Sequence, residues 1–363
     1  MTPLTSKERI ARTLDRKEID HIGLKESFWH DTRDLWVSQG HIGAEESLED
    51  HFGHDIRAAG WINIMCDPTV RNEVLEETEE TRLTRNPNGA VLRWHKQHSS
   101  TPEHVDFLVQ DRSGWEEHIR PKLLDESLDL HRANFESYRK IREKCIREDL
   151  FFVWSGVNVF ESIHPMCGHE YMLMGMALDP EWVADMCDVY SDVILRVQTK
   201  LFDEVGPPDA VFYYEDMGFK ERPFMSPAMY RDLVQPAHAK TFDFAHNRGL
   251  KVIVHSCGFV EPLVPGMIEA GMDMLQAMEV KAGMDLVHLK KTFGDKIGFM
   301  GGLDVRPLTR NDFDAIEAEL QAKIPAAMEG GGYVLHTDHS IPTQVDYETY
   351  KFFVKRGIEI GTY

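Results

Sequence analysis

Short apolar runs alternate with longer helical patterns from Phe151 to the end of the chain, and this alternation restricts the fold more than any other feature. Short continuous apolar strands separated by helices are typical of parallel sheets that are covered on both faces. Two earlier runs bring the number of such strands to eight, which predicts a closed (β/α)8 TIM barrel of the α/β class. The predicted strands are residues 19–24, 59–64, 151–154, 210–214, 252–254, 274–276, 297–300 and 333–335.

Helical spacing of apolar residues predicts the elements between these strands. The predicted helices are residues 6–16, with Thr5 or Ser6 as the N-cap, and residues 179–204, 226–247, 260–270, 285–293 and 312–328. An open doubly wound sheet is the alternative fold. We favour the barrel because no Gly-x-Gly-x-x-Gly turn follows an early strand.

One segment departs from this pattern. Two runs of β-forming residues flank the turn Asn86-Pro87-Asn88-Gly89, which is typical of a β-hairpin. We therefore interpret residues 75–110 as an antiparallel insertion, and residues 1–363 as a single barrel domain that carries it.

Composition excludes several classes of function. The chain has 40 basic and 61 acidic residues and a formal net charge of -21, so binding to nucleic acid phosphates is not expected. The sequence has no run of about 18 apolar residues, so no membrane span is predicted. The five cysteines are scattered without a repeated spacing, which disfavours a disulfide framework and fits a reducing, cytoplasmic compartment. A homodimer is a candidate assembly.

The stretch His255-Ser256-Cys257-Gly258 follows the fifth predicted strand and carries the strongest indication of function. Side chains two apart on a strand point the same way, so the imidazole and the thiol share a face. Zinc prefers such ligands, whereas magnesium and calcium prefer oxygen. The structural alternative is a packed cysteine beside a histidine that caps the next helix.

Other polar residues follow the remaining strands, and a barrel collects all such residues at one mouth. Glu215 and Asp216 are candidate catalytic acids, with helix capping as the alternative. Asp304, in a glycine-rich strand end, is a third candidate, with an ordinary turn aspartate as its alternative. His336 and His339 are the candidates for a third metal ligand.

The chain resembles the uroporphyrinogen decarboxylase superfamily, and within it the branch of cobalamin-dependent methyltransferases. The resemblance covers most of the chain. Its motifs are Thr5-Ser6-Lys7-Glu8-Arg9-Ile10, Asp20-His21-Ile22, Glu215-Asp216-Met217-Gly218, Ser226-Pro227, His255-Ser256-Cys257-Gly258, Gly301-Gly302-Leu303-Asp304, and Gly331-Gly332-Tyr333-Val334-Leu335 with Ile341-Pro342 downstream.

The resemblance implies a zinc site made of His255, Cys257 and a third residue three positions before a proline. In this chain that residue is His339, because Pro342 follows it by three, whereas relatives commonly have cysteine there. A histidine carries one negative charge fewer than a thiolate, which would make the zinc a stronger Lewis acid. This difference favours an ether or alcohol oxygen as the group that the metal polarises.

The implied activity is transfer of a methyl group between a small methylated substrate and the cobalt of a corrinoid. A methyl ether, a methylamine or a thiol would serve as substrate, and demethylation, as in an O-demethylase, is the favoured direction. No Asp-x-His-x-x-Gly signature is present, so we expect a separate corrinoid protein to supply the cobalamin.

Two other functions stay open at this stage. The first is a metal-free decarboxylase, which the segment Phe28-Trp29-His30-Asp31-Thr32-Arg33 disfavours because decarboxylases of the superfamily have an arginine-rich segment there. The second is a non-catalytic protein that only binds a corrinoid.

Overall fold

The computed structural model describes residues 3–97 and 101–363. The strands are β1 (Gly23–Leu24), β2 (Ile56–Ala59), β3 (Glu73–Glu77), β4 (Thr81–Arg85), β5 (Val91–His95), β6 (Glu103–Asp106), β7 (Phe151–Val157), β8 (Ala210–Tyr214), β9 (Lys251–Ser256), β10 (Met274–Ala277), β11 (Gly298–Gly301) and β12 (Tyr333–Leu335). Eight parallel strands form one sheet in the order β1-β12-β11-β10-β9-β8-β7-β2, and four antiparallel strands form a second sheet in the order β3-β4-β5-β6.

The eight-stranded sheet curls into a nearly closed barrel, as predicted. Its two edge strands, β1 and β2, meet through Asp55: the Asp55 N–H donates to the Leu24 carbonyl at 2.8 Å, and the Leu24 N–H donates to Asp55 Oδ2 at 2.7 Å. Arg9 donates to the other carboxylate oxygen at 2.6 Å. The sheet edges are thus joined by one backbone hydrogen bond and a buried carboxylate instead of a regular ladder.

Helices cover the outside of the barrel. They are α1 (Ser6–Leu14), α2 (His30–Ser38), α3 (Leu48–His51), α4 (Arg112–Gly114), α5 (Arg120–Leu123), α6 (Phe135–Glu148), α7 (Val159–Leu178), α8 (Pro180–Val205), α9 (Pro227–Met229), α10 (Gln235–His246), α11 (Val264–Ala270), α12 (Leu286–Phe293), α13 (Val305–Thr309), α14 (Phe313–Met328) and α15 (Tyr347–Ile360). Turns of π-helix lie at Trp115–Ile119 and Tyr230–Val234, and 3-10 turns lie at Glu126–His131, Glu261–Leu263 and Val280–Ala282.

The predicted boundaries of the first two barrel strands differ most from the observed ones. The first strand is only Gly23–Leu24, and the second is Ile56–Ala59 rather than residues 59–64. Gly60, at a φ of 101° against the Trp154 ring, turns the chain away from the sheet. The apolar residues that follow it, such as Ile62, are buried outside the barrel strands instead.

The predicted insertion is a four-stranded sheet, larger than the single hairpin the turn indicated. Strands β4 and β5 pair across the expected turn, where the Asn86 side chain accepts from the N–H groups of Asn88 and Ala90 at 3.0 Å each. Residues 98–100 of the predicted insertion lie outside the described residues. Among the described helices, none is long and apolar enough to cross a bilayer.

Side chains point alternately to the two faces of each barrel strand and so form two separate apolar layers. One side of each strand packs on the surrounding helices. The other side fills the barrel interior with Ile56, Phe151, Val153, Ala210, Phe212, Ile253, Met274, Met300 and Val334, and Ile10 and Leu14 of α1 pack into the same cluster. Because the period is two, the next inward positions on β8, β9, β10 and after β12 are Tyr214, His255, Gln276 and His336. These residues form the floor of the barrel mouth above the apolar interior.

Candidate metal centre

Three side chains at the barrel mouth bring a nitrogen, a sulfur and an oxygen together. His255 Nε2 lies 3.2 Å from Cys257 Sγ and 3.2 Å from Asp216 Oδ1. Among the described residues, Asp216, His255 and Cys257 are the one group of at least three His, Cys, Asp or Glu residues whose ligand atoms all lie within 4.8 Å of one another. Zinc accepts all three donor types, so the set fits that metal.

Two touching loops hold Asp216 against Cys257. The Cys257 N–H donates to Asp216 Oδ1 at 2.7 Å. The loops after β8 and β9 meet at Gly218 and Gly258, where a Cβ built on Gly258 would lie 2.3 Å from the carbonyl carbon of Gly218. Gly258 also has a φ of 74°, which disfavours other residues. The glycine after Cys257 therefore allows the close approach that places the carboxylate beside the thiol.

Gln276 determines which nitrogen of His255 is available to a metal. Its Oε1 lies within hydrogen-bond distance of His255 Nδ1. An amide oxygen only accepts, so Nδ1 carries the proton and Nε2, the atom near Cys257 and Asp216, keeps its lone pair when the ring is neutral. Histidine ligands are commonly oriented in this way by a second hydrogen bond.

Burial and mutual attraction govern the charges of the three groups. Burial raises the pKa of the Cys257 thiol, despite the nearby His255. Burial also acts to raise the pKa of Asp216, but His255 outweighs it and lowers that pKa to about 2. Burial opposes the charged form of His255, yet Cys257 and Asp216 raise its pKa well above the ordinary value. The cluster thus favours a protonated, positively charged His255 beside the two acidic groups. A metal cation can take the place of the proton on His255.

Further hydrogen-bond contacts continue from Gln276 into the barrel wall. Gln276 Nε2 lies 3.4 Å from His336 Nε2, which lies 3.1 Å from Glu26 Oε1. Burial lowers the pKa of His336 to about 3 and raises that of Glu26 to about 8. His336 is only 2% exposed and contacts Gln276, and it is not among the three residues of the metal group, so its role as a ligand stays a prediction.

His339, the third ligand that the resemblance implied, lies apart from the three-residue group. It lines the same cavity as His255 and Cys257, and its ring stacks on Trp29 with the ring centroids 6.1 Å apart. Its role as a ligand stays a prediction. Asp216, which the sequence indicated as a candidate acid, lies where a third ligand is needed.

The other two candidate acids have structural partners. Glu215 is completely buried, accepts from the N–H groups of Phe160 and Glu161 at 2.7 and 2.9 Å, and pairs with His238 Nε2 at 2.5 Å. It therefore caps helix α7. Asp304 caps α13, accepting from the Arg306 N–H at 2.9 Å and pairing with the Arg306 guanidinium at 2.6 Å. Within the described residues, neither is part of the metal group.

Two residues of this network, Gln276 and Glu26, were not predicted from the sequence to belong to the site. The period-two pattern of β10 places Gln276 in the inward row with His255, so that signal was present in the sequence. The contact between Glu26 and His336 joins the first and last barrel strands, which are more than 300 residues apart in the chain. No local pattern indicates such a contact.

Replacing Gln276 by leucine is expected to weaken zinc binding by about 10- to 100-fold while the protein stays folded. Leucine is similar in size, but it cannot accept a hydrogen bond from the His255 Nδ1–H, so the ring loses its fixed orientation. Competition with a zinc chelator measures the affinity. Gln276→Glu, which keeps the acceptor, is the matched control and should retain binding within a few fold of the original.

Two cavities meet at this centre. The first, of about 650 Å³, lies toward β1 and β12 and is lined by His255, Cys257, His336 and His339 among others. The second, of about 790 Å³, lies between the barrel and the insertion and is lined by Asp216, Cys257 and residues of β5 and β6. Cys257 lines both cavities, so the candidate metal centre is accessible from two directions.

Comparison with known proteins places the chain in a family. A family model described as uroporphyrinogen decarboxylase (URO-D) matches residues 159–359, more than half of the chain. No curated protein matches the sequence.

Similar solved structures include one that shares the fold over nearly the whole chain. A methyltransferase from Methanosarcina mazei has 16% sequence identity and a TM-score of 0.66, with 98% of this chain and 99% of that chain covered. A β-glycosidase from Thermosphaera aggregans has 10% identity and a TM-score of 0.44, with 87% and 84% covered. A 3-keto-D-glucoside 4-epimerase from E. coli has 12% identity and a TM-score of 0.39, with 62% and 84% covered. By the match to the family model, the chain belongs to the uroporphyrinogen decarboxylase family.

Proposed function

We propose that this protein is a zinc-dependent methyltransferase that moves a methyl group from a small methylated substrate to the cobalt of a separate corrinoid protein. The observation that carries the proposal is the group Asp216, His255 and Cys257 at the mouth of a barrel of this family. The fold that the chain shares with a methyltransferase from Methanosarcina mazei adds support.

Asp216, His255 and Cys257 would hold the metal, which would supply a Lewis acid for the heteroatom that carries the methyl group. The chain's own residues prepare the site. Gln276 fixes the tautomer of His255, and the Cys257 N–H fixes the carboxylate of Asp216. Both contacts exist before any ligand arrives, so the donor atoms need little reorganisation to bind.

In the proposed direction, the bond between the methyl carbon and its heteroatom breaks and a carbon–cobalt bond forms. The cobalt, supplied in its reduced state, provides the electron pair for the new bond. The heteroatom keeps the pair of the old bond and takes up a proton from water. Since two reactants must reach one centre, the two cavities at Cys257 suit a reaction of this kind.

The small number of cationic side chains around the centre argues against decarboxylation of a substrate with many carboxylates. Among the residues that line the first cavity, Lys25 and Arg33 are the cationic ones, and Glu26 and Glu49 line it as well. None of the described residues that line the second cavity is lysine or arginine. Neither cavity offers the surplus of positive charge that a polyanion needs.

Two measurements on the purified protein test the proposal. Elemental analysis is expected to find about one zinc per chain. Cobalamin reduced to the cob(I) state is expected to become methylated when the zinc-loaded protein and a methyl donor are added, which its absorption spectrum reports. Full activity after complete zinc removal, or decarboxylation of a porphyrinogen, would contradict the proposal.

A further inference from the structure

The second cavity differs in chemistry from the first, although both reach Cys257. Its walls are formed on one side by the insertion and on the other by helix α7 and the loops at the barrel mouth. The insertion contributes Asn86, Leu92, Trp94, Thr101, Pro102 and His104. Pro165 and Phe224 face them from the barrel side, so much of the lining is apolar or aromatic.

Three histidines form a flat, stacked surface in this cavity. The His164 and His169 rings lie 4.4 Å apart at an interplanar angle of 17°. The His104 ring lies 6.0 Å from that of His169, at 15°. Burial, with His164 and His104 close by, lowers the pKa of His169 to about 4, and burial also lowers that of His104. At neutral pH these two rings are uncharged, and their faces can stack on a planar ligand.

The two carboxylates of the cavity already have partners. Glu161 Oε2 lies 3.0 Å from His164 Nε2 and accepts from the Asp216 N–H at 3.3 Å. Asp216 is held by His255 and the Cys257 N–H. Both carboxylates are engaged, and the part of the lining that the structure describes holds no lysine or arginine. The described residues therefore offer no good counter-ion to a charged ligand of either sign.

We propose that the second cavity binds the methyl donor and that this donor is an uncharged, planar methyl ether, such as a methoxylated aromatic ring. This assignment rests on the proposed function. A flat apolar ring would stack on Trp94 or on the histidines, which line the same cavity. Cys257 and Asp216 line that cavity as well, so the methoxy group of such a ligand would face the metal group. The first cavity, which contains Lys25, Arg33 and Glu49, is left for the corrinoid.

Calorimetry with the full-length, zinc-loaded protein tests the proposal with 2-methoxyphenol as the probe. Trp94→Arg places a cation in the second cavity at a residue that is 39% exposed, so the fold should tolerate it. We expect 2-methoxyphenol to bind about tenfold or more weakly to this variant. Trp29→Arg makes the same change in the first cavity and should leave binding of 2-methoxyphenol within about twofold of the original.

A second variant and other probes keep the test decisive. Thr101→Arg, at an exposed residue of the same lining, should weaken binding in the same direction as Trp94→Arg. Tetramethylammonium and methoxyacetate should bind more weakly than 2-methoxyphenol. Equal binding of 2-methoxyphenol to all three variants, or a preference for either charged probe, would overturn the proposal.

The transfer assay separates this proposal from the one on which it rests. Methylation of cob(I)alamin by 2-methoxyphenol, lowered by Trp94→Arg, supports both. Methylation by a methylammonium compound but by no methyl ether overturns the substrate assignment and leaves the proposed function intact. A zinc-loaded protein that transfers methyl groups from no donor overturns the proposed function.

Discussion

Replacing Cys257 by alanine is expected to reduce bound zinc from about one per chain to near zero and to abolish methyl transfer with it. The thiolate is the strongest zinc ligand of the group, and its loss leaves only His255 and Asp216. Removing a metal that contributes several kcal/mol to the transition state lowers the rate by roughly a hundredfold or more. Elemental analysis and the cob(I)alamin assay measure the two effects.

Cys145→Ala is the matched control. Cys145 is a buried free thiol on α6, outside the metal group, so this variant should keep its zinc even if it loses some stability. Retention of zinc and activity by Cys257→Ala would contradict the proposed site. Asp216→Ala and His339→Ala, prepared in parallel, distinguish the two candidates for the third ligand. From the distances, we expect Asp216→Ala to lose the greater share of zinc affinity.

Replacing Glu215 by leucine is expected to lower the free energy of unfolding by about 3–5 kcal/mol, the cost of removing one partner from a buried polar pair. Glu215 and His238 are both completely buried, and the carboxylate also accepts from two N–H groups at the start of α7. Leucine leaves those donors and His238 without their acceptor in a dry interior. Denaturant unfolding measures the loss.

The surface glutamate Glu204 provides the matching control. It pairs with Arg139 at 3.1 Å, but its side chain is 56% exposed, so Glu204→Leu should change stability by at most about 1 kcal/mol. A Glu215→Leu variant as stable as the original protein but inactive in methyl transfer would show that Glu215 takes part in catalysis. Loss of stability with zinc still bound to the folded fraction would confirm its structural role.

The regular part of the barrel was predictable from local patterns. Burial on both faces produces short continuous apolar strands, and each strand from β7 onward was predicted to within about three residues at either end. The first two strands were less well predicted because they are short and because Asp55 and Arg9, not an apolar run, join them. The insertion was recognised by its Asn-Pro-Asn-Gly turn, but its outer strands β3 and β6 are largely exposed and carry little apolar signal.

The sequence by itself determined the family and the barrel, and it indicated the pairing of His255 with Cys257, because the period of two along β9 continues for the one residue by which Cys257 lies beyond the strand end. Only the tertiary structure decided which residues join that pair. Asp216 lies beside Cys257 because the loops after β8 and β9 meet at Gly218 and Gly258. Beyond a strand end, the direction of a side chain depends on the loop backbone and on what packs against it, and no periodic pattern in the sequence records either.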